Sequence, residues 1–311
     1  MVLRWIAITG LALVSFLVAT TILIAYSQVG SVDDARSYQY RYRPLQMGTQ
    51  IQVVSSYNGG LVDVVNCSLG FPAYYEIADY NLRVVTVTYG VVTASHCGFR
   101  DALVYQNVTG SNNYIGYMRD EGRYTIRFIA NPWDVDATFV VVESYTYRLG
   151  SPRPPPQIVS AYIHHRGIAI PIAGYISSEQ QLWHARDTNL LIRKAGGSTG
   201  YEEGYIRLCN VDPRLIACND NEYGWLFITT AYGYYGDSGG PAYAYYRELG
   251  RDYAWIYGGS LIGGARRPGV QWGEVISSCT STGGIQICMP TWFTIVYNVT
   301  RLRGVVPLTA G

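Results

Sequence analysis

Short alternations of apolar and polar positions run through this chain from Thr49 onward. Ile51-Gln52-Val53-Val54 and Leu61-Val62-Asp63-Val64 flank Tyr57-Asn58-Gly59-Gly60, which predicts strand, turn, strand. Val84-Val85-Thr86-Val87-Thr88 and Val91-Val92-Thr93 follow, parted by Tyr89-Gly90, and then come Tyr124-Thr125-Ile126-Arg127-Phe128-Ile129 and Ala137-Thr138-Phe139-Val140-Val141-Val142. Long amphipathic helical patterns are scarce, while Gly, Tyr and β-branched residues are abundant. Period and composition together predict an all-β core.

Ser151-Pro152-Arg153-Pro154-Pro155-Pro156 breaks the pattern. Consecutive prolines cannot join a sheet interior and prefer extended polyproline geometry. Residues 151–157 therefore predict a linker between an N-terminal barrel over 48–150 and a C-terminal barrel over 158–311. The second half resumes at Ile158 and runs through Ile168-Ala169-Ile170-Pro171-Ile172, Leu190-Leu191-Ile192-Arg193-Lys194, Gly204-Tyr205-Ile206-Arg207-Leu208, Trp225-Leu226-Phe227-Ile228-Thr229 and Trp255-Ile256-Tyr257. Pro290 to Leu302 predicts a short C-terminal helix closing the second barrel.

The first residues follow a different rule. An apolar run from Trp5 to Tyr26 stands behind Met1-Val2-Leu3-Arg4. A secretory apolar core is about 7–15 residues and a bilayer span about 20, so this run has spanning length. Residues 1–27 predict a transmembrane signal anchor with Arg4 keeping the N-terminus inside, or a long signal helix cleaved near Ala25-Tyr26-Ser27. Either form places the rest outside the cytoplasm, and the polar, Arg- and Tyr-rich residues 28–47 read as a tether. Six cysteines in an exported chain predict disulfides, and none has the C-x-x-C spacing of a metal site. The sequons at Asn66, Asn107 and Asn298 suit export and glycosylation. A formal charge of +1 gives no reason to expect a nucleic-acid partner.

The candidate chemistry lies in three places: Thr93-Ala94-Ser95-His96-Cys97-Gly98, Asp136-Ala137, and Gly236-Asp237-Ser238-Gly239-Gly240-Pro241. A serine hydroxyl is a weak nucleophile until a base takes its proton, and the base needs a third group to fix its tautomer. His96, Asp136 and Ser238 supply those three types. Gly236 to Gly240 also fits the G-x-S-x-G elbow of α/β-hydrolases, but that fold needs a histidine after the serine. His96, His164, His165 and His184 all precede Ser238, and the last three read as surface or strand-end residues. A subtilisin-like order needs Asp before His, and Asp63 and Asp79 have no motif around them.

These motifs, in the order His, Asp, Ser, resemble those of chymotrypsin-type serine proteases. Cys67-Ser68-Leu69-Gly70-Phe71 and Lys194-Ala195-Gly196-Gly197-Ser198-Thr199-Gly200-Tyr201 through Gly204 resemble the bacterial secreted branch of streptogrisins and α-lytic protease. The resemblance covers nearly all of 49–305. It implies two six-stranded antiparallel β-barrels and a cofactor-free serine endopeptidase that cuts polypeptides through an acyl-enzyme. Ser238 would be the nucleophile and His96 the base. Asp136, followed by Ala137 and an apolar strand as in the family, would orient the base in preference to Asp134. The N–H groups of Gly236 and Ser238 would form the oxyanion hole. Cys67–Cys97 is the family's disulfide beside the histidine, and sequence proximity suggests Cys209–Cys218 and Cys279–Cys288.

Two family features depart. Asp237 should pair with a buried cation, but Tyr201, Glu202 and Glu203 stand where the branch places its Arg, leaving Arg207 or Lys194. The family's substrate-aligning serine is replaced by Leu261 or Ile262, with Gly263 or Gly264 keeping that strand open. Tyr232 occupies the pocket position where a trypsin-like preference needs an acid, and Tyr235 lies beside it. The expected cleavage is after apolar or aromatic residues, or after Glu or Asp if Arg266 or Arg267 reaches the pocket. The competing functions are a catalytically silent surface binding module and an esterase on the same fold.

Overall fold

The computed structural model describes residues 36–57, 61–108, 110–119, 136–207, 226–229, 231, 233, 235–263, 279–282, 285–288 and 291–310. The expected transmembrane or signal segment, Asp134, Tyr232, Gly264, Arg266, Arg267, Cys209 and Cys218 lie outside the described residues. No helix among the described residues is long and apolar enough to cross a membrane.

The first half forms strands β2 (Gln50–Tyr57), β3 (Leu61–Ser68), β4 (Pro72–Asp79), β5 (Val84–Thr93), β6 (Leu103–Gln106), β7 (Tyr114–Met118) and β8 (Thr138–Arg148). Their order is β4-β5-β8-β7-β6-β2-β3, with every pairing antiparallel. β3 and β4 are two arms of one bent strand. One arm pairs with β2 and the other with β5, so the sheet closes on itself as a six-stranded barrel. Gly70 makes the corner, where a Cβ would collide with the carbonyls of Val92 and Gly239. Alternation places Ile51 and Val53 inside, against Val87, Val91, Val104 and Phe139.

The second half contributes β9 (Val159–His165), β10 (Ile168–Tyr175), β11 (Leu191–Gly196), β12 (Gly200–Arg207), β13 (Leu226–Thr229), β14 (Pro241–Glu248), β15 (Arg251–Gly263) and β18 (Thr291–Ile295). The cycle β15-β14-β11-β12-β13-β18 closes through the β15–β18 pairing, again giving six antiparallel strands. The hairpin β9–β10 extends this sheet outside the ring. The arrangement is the chymotrypsin-like double β-barrel expected from the motifs.

Glu143 fastens the linker. Its two carboxylate oxygens accept the N–H groups of Gln157, Ile158 and Val159, while the Tyr89 hydroxyl donates to the Pro154 carbonyl. Arg153 lies over the Tyr74 ring. The proline run is therefore pinned along the first barrel.

Both ends of the described chain behave differently from the simplest expectation. The stretch read as a tether packs into the body from Arg36 onward: Leu45–Met47, β1, pairs in parallel with β9, and Tyr38, Leu45 and Met47 are fully buried. The C-terminal helix runs over Val296–Arg303 and not from Pro290 as expected, because Thr291–Ile295 is the closing strand of the second barrel. After the helix, Val306–Pro307, β19, crosses back and pairs with β4 of the first barrel. The chain ends thus clasp the two barrels together instead of capping the second alone.

Candidate active site

Register brings His96 and Asp136 together. Thr93 at the end of β5 pairs with Thr138 at the start of β8, so the chain leaving one strand and the chain entering the other meet at one rim. Ser95–Cys97 then makes a 3-10 turn that holds His96 over that rim. His96 Nδ1 lies 2.5 Å from Asp136 Oδ2. The His96 backbone N–H donates to Asp136 Oδ1 at 2.9 Å, and the Ser95 hydroxyl donates to the same oxygen at 2.6 Å. Asp136 is 3% exposed. Arg303 Nε holds the next carbonyl, Ala137, at 2.7 Å, so the terminal helix steadies the carboxylate's segment.

Burial raises the Asp136 carboxyl, but the His96 charge and the Ser95 and backbone hydrogen bonds outweigh it and hold it below the usual carboxylate range. Burial pushes the His96 imidazole down, and the Asp136 charge and hydrogen bond more than restore it, leaving it above its ordinary value. The pair is thus a fixed anion carrying an imidazole that gains basicity from it. That is what proton abstraction from a hydroxyl requires.

Ser238 is half-buried on the turn between β13 and β14, and the structure ties that turn to the histidine by two routes. Its carbonyl accepts the Ser68 N–H at 2.7 Å. Cys67, beside Ser68, is disulfide-bonded to Cys97, beside His96, with the two Cα atoms 6.3 Å apart. Gly239, at φ 93°, packs so tightly that a Cβ would collide with Thr93 Oγ1 and the Ser68 carbonyl. The left-handed conformation and the close approach both demand glycine there. The two sulfurs beside the imidazole are bonded to each other, which removes them as thiolate ligands.

Next to Ser238, Asp237 and Lys194 are both fully buried with Nζ 2.9 Å from Oδ2. Thr199 Oγ1 donates to Oδ2 at 2.7 Å and contacts Lys194 Nζ, and the N–H groups of Ser198 and Thr199 both reach Oδ1 at 3.0 Å. The partner left open between Arg207 and Lys194 is Lys194. Burial raises the Asp237 carboxyl, and Lys194 with the Thr199 bonds brings it below its usual range.

Of the expected pocket residues, Tyr235 is 74% exposed at the lip of the turn. Leu261, Ile262 and Gly263 continue β15 and pair with Phe293, Trp292 and Thr291. β16 (Cys279–Thr282) and β17 (Ile285–Cys288) form a hairpin in which Cys279 stands directly opposite Cys288. His184 is exposed on the helix α1 (Glu179–Asp187). His164 and His165 end a strand as expected, but they are 1% and 8% exposed and are not surface residues. His164 bridges Ser37 Oγ and Gln46 Oε1, each at 2.8 Å, and His165 Nδ1 lies 2.8 Å from the Tyr243 hydroxyl.

Four site residues escaped the sequence reading: Ser68, Ser95, Ser198 and Thr199. Each lies inside a quoted motif, but a serine or threonine there has many uses, and only the contacts assign one.

No protein-family model matches the chain, and no curated protein does. Among solved structures, a mutant of the Tobacco Etch Virus protease aligns over 88% of this chain and 86% of that one, with a TM-score of 0.32 and 10% identity. At that score the likeness adds nothing to what the residues and the two barrels establish.

Proposed function

We propose that this protein is a serine endopeptidase of the bacterial secreted, chymotrypsin-like type. The observation that carries the reading is the buried Asp136 carboxylate held on His96 Nδ1, with the Ser238 turn bound to the same rim. Ser238 attacks the scissile carbonyl while His96 takes its proton. The N–H groups of Gly236 and Ser238 receive the oxyanion, the acyl-enzyme forms as the amine leaves with the proton from His96, and water repeats the sequence. Each oxyanion donor in such a site lowers the barrier by roughly 3–4 kcal/mol. No cofactor takes part in this scheme. Lys194 acts as the internal cation of Asp237, so no freshly cut N-terminus is needed to order the turn.

The substrate is a polypeptide bound with an apolar or aromatic side chain on the acyl side of the cut. With Tyr232 in place of the acid that a trypsin-like preference needs, an unpaired Arg or Lys would cost several kcal/mol. The N-terminal segment directs export and tethers the catalytic body outside the membrane. The test is a fluorophosphonate probe together with a peptide-library digest. Labelling confined to Ser238 and cuts after apolar residues support the reading. Absence of both labelling and peptide cleavage leaves the binding-module reading, and ester turnover without peptide turnover leaves the esterase.

A further inference from the structure

Four successive carbonyls around the nucleophile are each held by a hydrogen bond. Ser198 Oγ donates to the Tyr235 carbonyl at 2.6 Å, and Ser68 Oγ donates to that of Gly236 at 2.7 Å. The Gly240 N–H donates to Asp237 at 2.9 Å and the Ser68 N–H to Ser238 at 2.7 Å. A trans peptide is planar, with its N–H opposite its C=O. The direction of the Tyr235 carbonyl therefore dictates the direction of the Gly236 N–H.

Ser198 is anchored beside the turn, its own N–H donating to the buried Asp237 carboxylate at 3.0 Å. The Tyr235 carbonyl is thus held toward Ser198 and the Gly236 N–H points away from it. Gly236 sits at φ 96° with Ser198 Oγ where its Cβ would be. A glycine accepts either orientation of the preceding peptide at little steric cost, so the choice falls to whatever holds the carbonyl.

We propose that Ser198 is a positioning residue whose hydroxyl sets the 235–236 peptide and so presents the Gly236 N–H to the oxyanion. The proposal rests on the serine-endopeptidase reading. Ser68 secures the next peptide from a fully buried site, whereas Ser198 is half-buried and makes its bond at the surface. Without the Ser198 hydroxyl the peptide is free to turn over, placing a carbonyl where a donor is needed.

Ser198→Ala and Ser198→Thr in the full chain test this. Complete loss of one oxyanion donor costs about 10²–10³ in kcat, so partial misorientation in Ser198→Ala is expected to lower kcat by about 10–100-fold with KM within about threefold. Ser198→Thr keeps the hydroxyl and is expected to recover kcat to within about fivefold. The acid limb of the pH profile stays in place, because the His96–Asp136 pair is untouched. A crystal structure of Ser198→Ala should show the 235–236 peptide reversed or in two orientations. Unchanged kcat in Ser198→Ala, a Thr variant as impaired as Ala, a displaced acid limb, or a single unaltered peptide overturns the proposal. A wild-type protein with neither peptidase activity nor probe labelling overturns the function instead, and the crystal structure of Ser198→Ala then decides the role of Ser198 by itself.

Discussion

Lys194 Nζ lies 2.9 Å from Asp237 Oδ2 with no exposure of either side chain. The only lysine in the chain is thus spent one residue before the nucleophile. A buried pair is a poor source of net stability, but removing one partner strands the other charge. Lys194→Met and Asp237→Leu are each expected to cost roughly 3–5 kcal/mol in urea denaturation, and the double substitution to recover much of that loss. Additive losses in the double variant would show that the two charges do not depend on each other. Because the Asp237 carboxyl is lowered by folding, its contribution is present above its unfolded value and lost as pH falls through the lower folded value.

Substitution of the triad should separate the two aspartates of its segment. Ser238→Ala, His96→Ala and Asp136→Asn are each expected to lower kcat by on the order of 10⁴-fold, and Asp134→Asn to change it little. Ser95→Ala removes one of the hydrogen bonds on Asp136 but leaves the imidazole contact, so a loss below about tenfold is expected. Steady-state peptide hydrolysis measures all five. Damage from Asp134→Asn with Asp136→Asn unharmed would reverse the assignment.

The pH profile follows from the imidazole. In the proposed mechanism His96 serves as a base only when neutral, and its folded value is raised above the ordinary figure of about 6.5. The acid limb of kcat/KM is therefore expected above that figure and should move down in Asp136→Asn, since the raising charge is gone. A limb below the ordinary imidazole value in the wild type would contradict the Asp136 contact.

Acid should loosen the N-terminal segment. Burial first, and then the neighbouring His165 for His164 and Arg193 and Arg166 for His165, pull both imidazoles down to about 4. Folding favours their neutral forms, so the stability they support is complete above their unfolded value near about 6.5 and is lost as pH falls toward about 4. Hydrogen exchange at 36–47 is expected to rise across that window, and His164→Gln should flatten the change. Protection that stays constant down to pH 4 would exclude the switch.

Disulfide mapping under non-reducing conditions should return Cys67–Cys97, which encloses a separation of 30 residues and stabilises by roughly 3–4 kcal/mol in the loop-entropy account. The facing positions of Cys279 and Cys288 predict a second bond across their hairpin. A peptide joining Cys218 to Cys279 would break both this pairing and Cys209–Cys218.

By itself the sequence determined the all-β fold class and singled out the proline run, His96 and Ser238 as candidates, because each rests on local information. A period of two survives in strands such as Ile51-Gln52-Val53. Proline excludes itself from a sheet interior, and a glycine-flanked serine needs a particular backbone. Asp136 was preferred to Asp134 through the apolar strand that follows it. Only the tertiary structure decided what depends on contacts between distant segments. Lys194 over Arg207 as the partner of Asp237 turns on which side chain β11 directs inward. The burial of His164 follows from the N-terminal segment folding over it, that of His165 from Tyr201, Tyr243 and Tyr245 packing around its ring, and the return of Val306–Pro307 to the first barrel requires both barrels in place. The contacts of Ser68, Ser95 and Ser198 belong here as well. A hydroxyl has no pattern of its own, and its function is the pair of atoms it joins.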